Sequence, residues 1–363
     1  MLPLSHSLDK RARLRQLLLA VVAGLVVVSI LLLRPASLLP TLALMAGADI
    51  PGLAEALEAA AESCESYGWQ RFVPESSSGK RRVYDLFMIN TELDWLEIRL
   101  GTTYDAVDYF IIFEADITFT GLAKPLFVRD NWSKFKRFHR KMIYHKVEFP
   151  PGFNATDMWK KERFTRDAML EQGLQQLRGR QEPRAGDVII FADVDEIPRP
   201  EVLHLLRACQ FPRRVTLRGR FYYYSFQFLH RGDEWRAPHA TYYEGLDTIL
   251  PNDLRGGVGK NAHESVDIAN ASWHCSSCFK TVHEVRVKME SFSHTEYNIE
   301  KYRDSHWIAD HVRQGTDMWE RNREVYDRID GNRDLPDYLL KHADRFPYMI
   351  NRDGPTAGFS DYP

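Results

Sequence analysis

The sequence has almost no charge imbalance. It carries 48 Lys and Arg against 50 Asp and Glu over 363 residues, a formal net charge of −2. A general nucleic-acid binder would show a strong basic excess, so that partner class is excluded. Cysteine is sparse as well, with Cys64, Cys209, Cys275 and Cys278 the full set. An even count allows two disulfides among three pairings. Cys275-Ser276-Ser277-Cys278 has the spacing of half a zinc site, but no second cysteine pair completes it. No internal repeat is visible. What is present is ordinary for a globular protein: 44% apolar and 27% charged residues, enough for a packed core and against wholesale disorder. Aromatic content is 12%, with eight tryptophans, which suits stacking on sugars, although such residues more often fill cores.

Long apolar runs are absent except one. Residues 17–33 carry no charge, Lys10, Arg11, Arg13 and Arg15 precede them, and Arg34 and Pro35 close them. The run is at the short end of what spans a bilayer, and the flanking charges place the N-terminus in the cytosol. The expected organisation is a cytosolic tail (1–16), a transmembrane signal anchor (17–34), a stem (35–80), a main folded domain (81–350) and a C-terminal tail (351–363). A short span suits early secretory membranes. A cleaved signal peptide is the rival, but the small residues Ala46-Gly47-Ala48 lie far beyond the apolar run. Three glycosylation acceptors, at Asn131, Asn154 and Asn270, fit a luminal domain. Within the stem, residues 53–63 read as a helix and Ser76-Ser77-Ser78-Gly79 as a flexible linker.

From Arg82 the pattern is α/β. Strands are expected over residues 83–89, 109–113 and 142–147. Thr91-Glu92-Leu93-Asp94 has the form of a capping box opening a helix. A long helix is expected over 157–178 and another over 198–209, with proline in its first turn. Residues 215–228 read as an aromatic strand and 282–292 as a further strand. Helices are expected over 299–312 and 317–329. Strands alternating with helices point to a Rossmann-like sheet flanked by helices.

The centre of the pattern is Val188-Ile189-Ile190-Phe191-Ala192, followed at once by Asp193-Val194-Asp195-Glu196. A short β-branched run of this kind is a strand buried on both faces. Ligands of open α/β sheets bind at the carboxyl ends of such strands. Asp193 and Asp195, two apart, share a side if the extension persists. Carboxylates packed there repel unless a hard divalent cation lies between them. The bland reading is a solvated turn; three acids in four residues favour a cation and a phosphorylated ligand.

The run Asn90-Thr91-Glu92-Leu93-Asp94-Trp95-Leu96-Glu97-Ile98-Arg99-Leu100 resembles the opening of glycosyltransferase family 17. So do Val107-Asp108-Tyr109-Phe110 with Glu114, Thr120-Gly121, Lys124-Pro125-Leu126, Asp193-Val194-Asp195-Glu196-Ile197-Pro198 and Trp273-His274-Cys275-Ser276-Ser277-Cys278-Phe279. The ordered set is specific; no one motif is. The resemblance implies a GT-A-type mixed sheet, a UDP-GlcNAc donor, a divalent cation such as Mn²⁺, inversion at the anomeric carbon and a Golgi membrane location. The implied acceptor is a glycoprotein N-glycan, at β-linked mannose. It also favours a structural role for the Cys275/Cys278 pair.

The leaving diphosphate needs a counter-charge fixed in advance, which Asp193 and Asp195 would supply through the cation. His274 is the expected third metal ligand and His294 its runner-up. Lys288 is a candidate phosphate contact. Asn90, Glu92 and Glu114, at the ends of the first two strands, are candidate donor contacts. Inverting transfer needs a base for the acceptor hydroxyl; Glu244 and Asp247 are the candidates, with Glu196 and Glu264 kept open. The glycine-rich run Arg255-Gly256-Gly257-Val258-Gly259-Lys260-Asn261 lacks the serine or threonine of a phosphate loop and reads as a flexible loop. Three rival functions remain: the same fold with another acceptor or UDP-sugar, a phosphohydrolase with Asp193 as nucleophile, and an inactive glycan-binding protein.

Overall fold

Apolar, β-branched runs build most of the fold. A computed structural model describes residues 62–74, 80–153, 157–259 and 263–362. The expected anchor, most of the stem (35–61 and 75–79), the Asn154 acceptor and Lys260-Asn261 lie outside the described residues. Among the described residues no helix is long and apolar enough to cross a membrane. Cys64–Phe72 and Arg81–Pro363 form one unit; Met1–Ser63 and Val73–Lys80 make a second, of which residues 62, 63, 73, 74 and 80 are described.

The strands of the larger unit are β1 (Gln70–Arg71), β2 (Val83–Ile89), β3 (Tyr109–Glu114), β4 (Met142–Lys146), β5 (Val188–Asp193), β6 (Glu196–Pro198), β7 (Cys209–Gln210), β8 (Arg214–Tyr223), β9 (Ser225–His230), β10 (His239–Tyr242), β11 (Ser265–Ser276) and β12 (Tyr326–Arg328). Ten of them make one mixed sheet in the order β12-β9-β8-β10-β5-β2-β3-β4, with β11 on β8 and β6. The β5-β2-β3-β4 half is parallel. Strand β10 joins it antiparallel to β5 and leads into β8. The principal helices are α1 (Leu93–Thr103), α2 (Met158–Ala168), α3 (Pro200–Ala208), α4 (Pro251–Gly256), α5 (Val282–Ser291) and α6 (Ser305–Gln314).

Alternation along the parallel strands buries both faces. Val83, Phe87, Phe110, Ile112 and Ile190 share a cluster with Trp95, Leu96 and Ile98 of α1 and Leu203 and Leu206 of α3. Tyr84, Leu86, Ile111, Phe113 and Ile189 share another with Ala168 of α2, the turn after it, and Leu254 of α4. A third cluster joins α5 and α6 to Tyr223, Tyr224 and Phe228. The observed class is therefore the expected mixed α/β sheet flanked by helices. Cys64 pairs with Cys209, and Cys275 with Cys278.

Several elements differ from expectation. The strand expected over 282–292 is helix α5, Val282–Ser291, because Thr281 and Glu284 make a complete capping box at its start. The expected box at Thr91 does not form. Instead the Glu92 carboxylate accepts from the backbone N–H of Asn90 at 2.9 Å and of Thr91 at 2.8 Å. The long helix over 157–178 stops at Ala168 and continues as π and 3₁₀ turns. Gly173 lies so close to Phe113 that a Cβ there would sit 2.1 Å from its ring. Residues 299–312 break at Asp304, whose carboxylate caps α6 through Trp307 N–H. The aromatic strand is two strands, divided at Tyr224, which has a φ of 63°. Residues 317–329 hold turns and β12 rather than a helix. The glycine-rich run is α4 up to Gly256, capped by left-handed Gly257.

The expected C-terminal tail is packed into the unit. Arg352 is fully buried and donates to the carbonyls of Tyr224, Phe279 and Ala357. Asp361 accepts from the N–H groups of Val282 and His283 at the start of α5.

Candidate active site

Strand β5 delivers Asp193 to the carboxyl edge of the sheet, in register with Met88 near the end of β2. There the chain turns through Val194-Asp195 and re-enters the sheet at Glu196. Arg99 of α1 holds the backbone of this turn from beneath. Its guanidinium donates to the carbonyls of Asp193 at 3.0 Å, Val194 at 3.3 Å and Glu196 at 2.7 Å. The same group pairs with the Asp85 carboxylate on β2 at 2.6 Å, and both side chains are fully buried. A rigid base of this kind fixes the turn independently of what binds above it.

The three acids have different surroundings. Asp193 accepts from Arg166 of α2 at 3.2 Å and from Arg255 of α4 at 3.4 Å. Burial and neighbouring Glu196 push its carboxyl upward, against those two arginines. Glu196 is fully buried, receives Trp235 Nε1 at 2.7 Å and Arg255 at 2.8 and 3.0 Å, and accepts the Asp193 N–H at 2.8 Å. Burial opposes its charge, but Arg255 outweighs burial and holds it well below the ordinary carboxylate range.

Asp195 has no such arginine. Burial pushes its carboxyl up to about 7, with Lys288 of α5 the main opposing charge. Beside it, His274 of β11 places Nδ1 at 3.7 Å from Asp195 Oδ1. The imidazole packs against Phe221 at 5.1 Å and Trp235 at 4.6 Å, both nearly parallel to it. Burial lowers His274 to about 4, so the ring is neutral at pH 7.

The cation that the resemblance implies can be tested against this donor set. Among the described residues no group of three or more His, Cys, Asp or Glu is arranged to hold a metal. Asp195 and His274 nevertheless fit as two ligands. A carboxylate short of counter-charge and a neutral imidazole are a suitable pair, and donors at metal distances of about 2.0–2.2 Å can lie about 3–4 Å apart on one ion. Asp193 is already held by arginines.

Of the remaining candidates, Asn90 donates from Nδ2 to the Oγ of Ser291, the last residue of α5, at 2.9 Å. Glu92 is turned onto its own loop. Glu114 is fully buried and accepts from Val128 N–H at 3.0 Å and Tyr144 O–H at 3.1 Å, with Lys124 Nζ at 3.7 Å. Its carboxylate therefore braces the loop after β3 from inside. Lys288 Nζ lies 3.5 Å from Ser276 Oγ, on the Asp195 side of the cluster. His294 is exposed and pairs with Glu296 at 2.7 Å.

Glu244 and Asp247 are not brought to this edge. Tyr242 is opposite Val188, the first residue of β5, so at about 3.3 Å per residue Tyr242 lies roughly 16 Å from Asp193, and Glu244 follows two residues after it. There Glu244 pairs with Arg213 at 2.6 Å and Asp247 is exposed. The antiparallel run of β10 takes the chain away from the acids, which the sequence order hides. Glu264 precedes Ser265, which is opposite Arg214, and so lies at the far end too. Sequence reading misses Arg99, Arg166, Arg255 and Trp235. Two of them carry a signal: Arg99 stands in the family-like run from Asn90 to Leu100, with no role attached, and Arg255 stands in the glycine-rich run, where it reads as part of a loop.

Residues 45–354 match Glycosyltransferase family 17. Human and rat proteins named β-1,4-mannosyl-glycoprotein 4-β-N-acetylglucosaminyltransferase are each 27% identical, over 78% and 77% of this chain. The chain spans 57% and 56% of those relatives' length. A solved mannosyltransferase from Pyrobaculum calidifontis, in complex with GDP-Man and Mn²⁺, aligns with 73% of this chain and 74% of its own at 9% identity and a TM-score of 0.33, too loose a likeness to argue from. The family match covers most of the chain, including every element that forms the carboxylate turn: the chain belongs to glycosyltransferase family 17.

Proposed function

We propose that this protein transfers GlcNAc from UDP-GlcNAc to a mannose hydroxyl of a glycoprotein N-glycan, with inversion, on a GT-A-type sheet and with a divalent cation, Mn²⁺. Family membership and the names of the mammalian relatives support the transferred group and the acceptor class. The observation that carries the donor side is Asp195, a partly buried carboxylate short of counter-charge at the carboxyl edge of β5, beside neutral His274. Asp195 and His274 would hold the cation, which would act as a Lewis acid on the diphosphate. Lys288 adds a fixed positive charge on the same side, where leaving-group charge develops. Arg99 keeps the turn from yielding when the donor enters. Arg166 and Arg255 fix Asp193, which disfavours the phosphohydrolase reading, since a nucleophile must be free to attack. The reading includes a type II Golgi protein anchored by residues 17–34, supported by the apolar run and its basic flank.

The test is release of UDP from a panel of UDP-sugars by the full chain in detergent, with and without Mn²⁺. Mn²⁺-dependent release from UDP-GlcNAc is expected, falling at least about a hundredfold in Asp195→Ala. Full activity in that variant would remove the cation site. Preference for another UDP-sugar would overturn the transferred group.

A further inference from the structure

Phe221, whose ring packs on His274, also lines a cavity of about 350 Å³. That volume is at the low end for small-molecule sites, roughly 300–1,000 Å³. The apolar lining is Phe221 and Leu229, and the polar lining includes Arg220, Asp233, Glu234 and Asp327. The Phe221 ring is also 5.4 Å from Trp235. The cavity and the carboxylate turn therefore share a layer of rings.

Most of the cavity's charges are already paired. Arg220 meets Asp334 at 3.2 Å, Glu234 meets Arg218 at 3.2 Å and Asp327 meets Arg231 at 2.5 Å. Asp233 is exposed and has no ion pair or hydrogen bond among the described residues. The site thus offers an aromatic and aliphatic wall, charges largely neutralised in place, and one carboxylate with open lone pairs. An ionic ligand such as a nucleotide phosphate would meet no free cation there. A neutral polyol fits: its C–H face packs on an aromatic ring and its hydroxyls donate to a carboxylate.

We propose that this cavity is the saccharide acceptor subsite, with Phe221 as its stacking wall and Asp233 accepting the acceptor's hydroxyls. The proposal rests on the transferase reading for its role and on the cavity alone for its ligand class. The cavity adjoins the rings around His274, and the loop Arg231–Arg236 borders both places, with Asp233 lining the cavity and Trp235 donating to Glu196.

Calorimetry on the full chain tests it, with the trimannosyl N-glycan core as one probe and UDP with Mn²⁺ as the other. The wild type is expected to bind the glycan, and Asp233→Ala to weaken it roughly 10- to 100-fold, the loss of a charged hydrogen bond, with no comparable loss for UDP. Asp233 is an exposed loop residue, and an unchanged melting curve would exclude misfolding. Undiminished glycan affinity in Asp233→Ala would overturn the proposal. So would a wild type that does not bind the glycan at millimolar concentration, or a parallel loss of UDP affinity. Glycan binding that depends on Asp233 in a protein that never releases UDP from UDP-GlcNAc would sink the transferase reading and keep the saccharide site.

Discussion

Replacing Arg99 with methionine separates the scaffold of the carboxylate turn from its chemistry. Arg99 and Asp85 are buried together, and the guanidinium also lies 4.5 Å above the Phe87 ring. Methionine keeps much of the volume and removes the charge. Asp85 then stands in the core without a partner, a loss of about 3–5 kcal/mol. The carbonyls of Asp193, Val194 and Glu196 lose their shared donor, and a stranded buried acceptor costs about 1–3 kcal/mol. Domains are stable by only about 5–15 kcal/mol, so Arg99→Met is expected to be close to unfolded at about 37 °C. The double variant Asp85→Leu/Arg99→Met removes both charges and is expected to recover most of the Asp85 loss. It still lacks the donor beneath the turn. Denaturant titration of the wild type, both single variants and the double variant gives the coupling energy, expected to exceed about 2 kcal/mol. UDP release by the folded double variant is expected to stay low. A double variant with wild-type stability and wild-type UDP release would refute the reasoning, because the turn would then hold its shape without Arg99.

The disulfides and a surface network give further tests. Cys64–Cys209 closes a loop with a sequence separation of 145 and Cys275–Cys278 one of only 3. Loop-closure entropy then predicts a loss of about 5 kcal/mol for the paired serine variant of the first and about 2 kcal/mol for the second, by denaturant midpoint; equal losses would contradict that origin. Glu97 is raised by burial, but Arg345 and Arg137 outweigh this and leave it below the ordinary carboxylate range. Its folded value is thus the depressed one, so its contribution is present at neutral pH and lost as pH falls below about 4.5. Melting of wild type and Glu97→Gln should differ at pH 7 and converge near pH 3; a gap that persists in acid would contradict the ion-pair account.

Where the apolar pattern is strong, the sequence is legible. The expected strand at residues 83–89 is β2 to the residue, because every position but Asp85 is apolar or aromatic and few alternatives remain. Helix α5 reads as a strand because the valines of Val282-His283-Glu284-Val285-Arg286-Val287-Lys288 imitate β alternation, while the decisive signal is local, Thr281 with Glu284. The C-terminal segment escapes for the opposite reason. Residues 351–362 have no period at all, and what fixes them is buried Arg352 satisfying the distant carbonyls of Tyr224 and Phe279 and the nearby one of Ala357.

The carboxylate turn shows why a site is harder to read than its strand. Asp193, Asp195 and Glu196 stand together in the sequence and look equivalent there. Their counter-charges arrive from elsewhere, Arg166 from α2 and Arg255 from α4, while Arg99 of α1 holds the backbone of the turn. No spacing rule connects those positions, since helix length and strand order set them. Once they are in place the acids divide. Glu196 is fixed as an anion that orients Arg255 and Trp235, and Asp193 is held between two guanidinium groups. Asp195 keeps a charge deficit with no arginine against it, and it faces the neutral imidazole of His274. An added cation lowers the energy most where burial has raised a carboxylate and no arginine has compensated it. That condition is met at the second acid of the pair and not at the first, so Asp195→Asn is expected to cost more Mn²⁺ affinity than Asp193→Asn, and titration of Mn²⁺ against UDP release in the two variants would reverse the assignment if the order came out the other way.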